Sequence, residues 1–113
     1  MGLERYVPGL VLAELDYFLR DERPAMEMFM NDLDRGAFTY APPPLDQLAR
    51  AMEIDKRFAD LGLGLVDASI VSLAEELGIR RLATRDVRRF GAVRLRDGSP
   101  FELVVYPMGP DRS

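Results

Sequence analysis

The apolar positions of this chain fall into helical stripes separated by short β-rich runs. Val11, Leu15, Phe18 and Leu19 recur at helical spacing and predict a helix over about 10–20. A short strand ending at Tyr6-Val7 and a Pro8-Gly9 turn precede it. Pro24 suits the first turn of a second helix, whose stripe is Met26, Phe29, Met30 and Leu33 and whose stop is Gly36. Its methionines read as pliable core filler. Ala37–Ala41 is rich in β-formers and predicts a strand, closed by Pro42-Pro43-Pro44. A long helix over about 45–61 follows, with Leu45, Leu48, Met52, Ile54, Phe58 and Leu61 on its buried side.

The stretch Leu61–Asp86 is the most strongly patterned. From Val66, a helix carries Ile70, Leu73, Ala74 and Leu77 on one face, while Ser72, Glu75 and Glu76 take the other. Gly78 supplies a left-handed stop. Arg81–Thr84 reads as a short buried strand and Asp86–Phe90 as one helical turn. Asp97-Gly98 signals a turn before a last strand, Phe101–Tyr106, and 107–113 reads as a frayed tail. Short strands alternating with helices predict an α/β domain spanning 1–113, with a short parallel sheet covered by helices on both faces.

Composition narrows the chemistry. At 113 residues and 48% apolar content, a single modest core is expected. No apolar run reaches the roughly eighteen residues of a membrane span, and the N-terminus lacks a secretion pattern; a soluble, cytoplasmic protein is expected. Cysteine is absent, which removes disulfides and thiolate metal sites. Histidine is absent too, which excludes Ser-His-Asp and Cys-His machinery and ordinary zinc sites. Carboxylate chemistry remains, alone or with a hard cation such as Mg²⁺ or Mn²⁺. The net charge of −4 conceals seven arginines between Arg80 and Arg96, against one acid, Asp86. An overall acidic chain can therefore still offer a local nucleic-acid contact; the other reading is a solvated surface.

Glu14, Asp67 and Asp86 each follow the carboxyl end of a predicted strand or occupy the helix start beside it, where open α/β sheets gather ligands. Each also has a purely structural reading. Asp67 suits an N-cap, and Glu14 complements a helix dipole or faces solvent. Asp86 caps the following turn or pairs with Arg85 or Arg89, and Thr84 is an ordinary strand residue.

Three runs carry a resemblance: Val11-Leu12-Ala13-Glu14-Leu15, Leu63-Gly64-Leu65-Val66-Asp67-Ala68-Ser69-Ile70-Val71 and Leu82-Ala83-Thr84-Arg85-Asp86. Arg88-Arg89-Phe90, Val93-Arg94 and Phe101-Glu102-Leu103 extend it, so it runs from about residue 6 to 106. Together they resemble the PIN domain, specifically the VapC-type toxin ribonucleases of bacterial toxin–antitoxin pairs. In that family acids at the sheet's carboxyl edge hold Mg²⁺ or Mn²⁺ and cut RNA. The resemblance implies catalytic and metal-binding roles for Glu14, Asp67 and Asp86, supporting roles for Ser69 and Thr84, and RNA contacts from Arg81, Arg85, Arg88 and Arg89. It also implies an RNA substrate and a cognate antitoxin.

One departure accompanies the match. Family members begin with a central strand carrying a first acid in an Asp-Thr or Asp-Ser pattern, and no such pair occurs ahead of Glu14. The expected fold is therefore an N-terminally truncated PIN-like one. The chain is a fragment, or a remnant whose flanking strands pair directly, or a protomer whose gap a second copy fills. Apolar surface around the gap predicts a homodimer or higher oligomer. Three functions follow: a metal-dependent endoribonuclease, a degenerate module that binds antitoxin or RNA without cleaving, and a structural protein whose acids are only caps.

Overall fold

The structure, a computed structural model, describes residues 5–84 and 86–105, with the backbone alone for Val105. Tyr6–Pro8 forms β1, and α1 (Val11–Phe18) follows the Gly9 turn. The second helix, α2, spans Arg23–Asp34 with proline in its first turn. Then come β2 (Thr39–Ala41), α3 (Leu45–Arg57) and a single 3₁₀ turn (Ala59–Leu61). The fourth helix, α4, runs Gly64–Leu77, and β3 is Arg81–Thr84. Last are α5 (Val87–Ala92) and β4 (Glu102–Val105). The α/β alternation expected from the hydrophobic pattern is present. The long helix expected to reach residue 61 ends at Arg57, and the expected strand end at Tyr106 and the tail 107–113 lie outside the described residues.

The strands are parallel but form two separate pairs. Tyr6, Val7 and Pro8 stand opposite Thr39, Tyr40 and Ala41, and Arg81–Thr84 stand opposite Glu102–Val105. Among the described residues no ladder joins β1 to β3. The described residues therefore show no direct pairing of the strands that flank the gap.

The core lies in the second part of the molecule. Ala51 and Ile54 of α3, Ala68, Val71 and Ala74 of α4, and Phe90 of α5 bury together with Leu63, Val93, Leu95 and Phe101. Leu82 of β3 and Leu103 of β4 pack against this group, and the Phe90 and Phe101 rings meet edge-on at 6.2 Å. Burying Ile54, Val71 and Val93 almost completely contributes roughly 1.5–3 kcal/mol each. The first part is thinner. α1 buries no residue and α2 only Met26, so Phe18 and Met30, expected in the core, are exposed. Leu45 and Met52 of α3 also stand in solvent, because α3 turns Ala51 and Ile54 toward α4 instead.

Two glycine positions set the approach to α4. Gly62 and Gly64 have φ of 62° and 79°, a region that L side chains avoid. The Gly64 N–H then donates to Asp55 Oδ1 at 2.8 Å, so an acid nine residues upstream satisfies the start of the helix. No helix among the described residues is long and apolar enough to cross a membrane.

Candidate functional site

Asp67 sits in the first turn of α4 but does not cap it; no side-chain cap bond forms there. Its carboxylate therefore remains available for a partner outside its own helix. Asp86 follows β3 and is the N-cap of α5, its Oδ1 accepting from the Arg89 N–H at 3.1 Å. Thr84, the last residue of β3, fixes that loop: its Oγ1 accepts from the Asp86 N–H at 3.0 Å. The helix start and the strand end thus deliver two acids to one place.

Arg89 joins them. Its Nη2 lies 2.7 Å from Asp67 Oδ2 and its Nη1 lies 3.1 Å from Asp86 Oδ2. The same Nη2 donates to the carbonyl oxygens of Gly62 and Leu63, at 2.8 and 3.1 Å. Nε is buried and has no hydrogen-bond partner among the described residues. Burial pushes the Asp67 carboxyl above its ordinary range, the charge on Asp86 adds to that push, and Arg89 only partly offsets it. Burial and the neighbouring carboxylate thus disfavour the charged form of Asp67, and Arg89 favours it.

The remaining expected residues are placed differently. Glu14 lies in the first turn of α1 and is exposed. Among the described residues no three acids gather closely enough to hold one metal ion. Ser69 is buried, and its hydroxyl donates to the Val66 carbonyl oxygen at 2.6 Å, within α4 rather than to an acid. Arg81 pairs across the strands with Glu102 at 3.0 Å, Arg88 is exposed, and Arg85 lies outside the described residues. Arg89 departs most from its expected RNA contact, since its guanidinium turns inward onto the acids. Elsewhere in the arginine-rich stretch, Arg80 pairs with Asp97, Arg96 approaches Glu75, and Arg94 donates to backbone carbonyls. Much of that local positive charge is therefore compensated internally.

The PIN-domain family matches residues 2–94 of this chain. The chain is also 31% identical over 100 residues to Ribonuclease VapC26 of Mycobacterium tuberculosis, across 87% of this chain and 74% of that one. The chain belongs to the PIN-domain family and is of VapC type. Its PIN fold places Asp67 and Asp86 at adjoining ends of α4 and β3, and the sequence pattern located both. Arg89 was one of two partners open to Asp86, but nothing in the pattern joined it to Asp67, 22 residues away. The only available signal was a cation three residues after Asp86.

The donor set of this PIN domain suits a hard divalent cation. Mg²⁺ is often held by one or two carboxylates, with waters and phosphate oxygens completing its shell. Asp67 and Asp86 supply the carboxylates, but in this arrangement Arg89 already occupies both.

Proposed function

We propose that the protein is a metal-dependent endoribonuclease toxin that hydrolyses RNA phosphodiester bonds and is held inactive by a cognate antitoxin. The observation that carries this reading is the convergence of Asp67 and Asp86 beside β3 in a chain similar to a VapC ribonuclease. Asp67 and Asp86 would hold Mg²⁺ or Mn²⁺, and Glu14, which does not join them in this arrangement, would have to approach to add a third carboxylate. When bound, the ion supplies an activated water and neutralises charge growing on the phosphate. Thr84 holds the Asp86 backbone, and with it the direction of that carboxylate. Arg88, exposed on α5, offers a contact to the RNA backbone. The Arg81–Glu102 pair is exposed on both sides, so it is weak and leaves Arg81 free to exchange partners. The absence of histidine is no obstacle, because the carboxylates and the ion share the work.

Asp67→Asn and Asp86→Asn are each expected to lower Mg²⁺- or Mn²⁺-dependent cleavage of RNA by about a hundredfold or more. That loss corresponds to several kcal/mol of transition-state stabilisation. Gel-resolved cleavage by the purified chain and both variants measures it. Unchanged cleavage by either variant would sink the proposal.

A second reading is favoured by one specific observation: Arg89 neutralises both acids, and no third acid joins them among the described residues. On that reading the protein is a PIN-like module that grips antitoxin or RNA without cutting. Metal-dependent turnover by the unaltered chain excludes it.

A further inference from the structure

The guanidinium of Arg89 stands where the two acids would otherwise need a cation. One nitrogen serves Asp67 and the other serves Asp86, and both contacts fall on Oδ2 atoms. We infer that Arg89 is a built-in counter-ion that gates the Asp67–Asp86 pair, holding it closed until the side chain swings aside for a divalent cation. The inference rests on reading that pair as a cation site.

Electrostatics makes the two occupants exclusive. A guanidinium and a divalent cation packed against the same carboxylates repel each other strongly in a partly buried site, so one must leave. The structure also shows how Arg89 leaves without dismantling its surroundings. Its side chain keeps 35% of its surface exposed, which gives a path outward to solvent. Its Nε is buried without a hydrogen-bond partner among the described residues, so withdrawal lets that donor regain water. Asp86 grips α5 through Oδ1 and the Arg89 backbone N–H, whereas the ion pair uses Oδ2. Releasing the side chain therefore leaves the helix cap in place. The carbonyl oxygens of Gly62 and Leu63 oppose departure and define the closed position.

Two measurements on the full 113-residue chain test this. In calorimetric titration with Mn²⁺, Arg89→Gln is expected to bind at least about tenfold more tightly than the unaltered protein, and Asp67→Asn added to it abolishes the gain. In the unaltered protein, Mg²⁺ is expected to move the Arg89 Nε–Hε NMR resonance toward that of a free, exposed arginine. This second measurement decides the matter if Arg89→Gln does not fold. Equal, Asp67-dependent binding by both proteins, or an Arg89 resonance unmoved at saturating Mg²⁺, overturns the gate and leaves the cation site standing. Binding of Mn²⁺ by neither protein overturns the cation site and the gate together.

Discussion

At the scale of single residues, the two acids show what a sequence can and cannot settle. Asp67 has the composition of an N-cap, yet Asp55 Oδ1 satisfies the Gly64 N–H and Asp67 is left for Arg89. Nothing local to Asp67 reveals this, because the substitute cap arrives from the end of α3. Asp86 was open between capping and pairing, and it does both with opposite oxygens. A different residue, Gly9, shows a constraint of packing rather than charge. Its N–H donates to the Ala41 carbonyl oxygen at 2.9 Å, and a Cβ built on it falls 2.7 Å from Pro42 Cα. Backbone cannot yield as a flexible side chain would. Gly9→Ala is therefore expected to cost roughly 1–3 kcal/mol, the range for overpacking. Urea denaturation should show a lower midpoint at unchanged slope. A variant as stable as the parent would mean that the β1–β2 end tolerates separation.

At the scale of elements, α4 is the clearest departure from its own periodicity. The pattern placed Ser72, Glu75 and Glu76 on the face opposite the apolar stripe, but only Glu76 is exposed. Ser72 is buried and donates to the Gln47 carbonyl oxygen of α3, at 3.2 Å. The Glu75 side chain is 4% exposed and accepts from Nε and Nη2 of Arg50, at 3.2 and 3.1 Å, with Arg96 3.6 Å away. A hydrophobic period assumes one covered face. Here α3 packs along α4 on one side while the remaining core covers the other, so polar residues are buried as well. Removing Glu75 takes from Arg50 its buried partner and leaves it only the exposed Glu53, 3.3 Å away. Glu75→Ala is expected to destabilise by about 3 kcal/mol, whereas replacing Glu75 and Arg50 together by methionine should recover most of the loss. Chemical denaturation of the single and double variants measures both. A single variant within about 0.5 kcal/mol of the parent, the usual surface result, would show that the pair contributes little.

At the scale of the whole molecule, the alternation of strands and helices was legible, and so was the parallel sense of the strands. That they form two pairs was not, because strand order depends on contacts between distant parts of the chain. The division explains the uneven burial. The core surrounds α3, α4 and the β3–β4 pair, while α1 and α2 carry large apolar side chains that stay mostly exposed. Tyr17, Phe18 and Met28 are 68, 75 and 69% exposed. Single exposed apolar residues are ordinary, but large ones concentrated on two neighbouring helices in sequence favour association. The protein is therefore expected to run as a dimer or larger assembly at micromolar concentration in size-exclusion chromatography with light scattering. Phe18→Glu combined with Met28→Glu should shift it toward monomer. Because both side chains point into solvent, the far-UV circular dichroism and the denaturation midpoint should hardly change. A sharp monomer peak from the unaltered chain at the same concentration would rule the association out and leave those faces for a different partner.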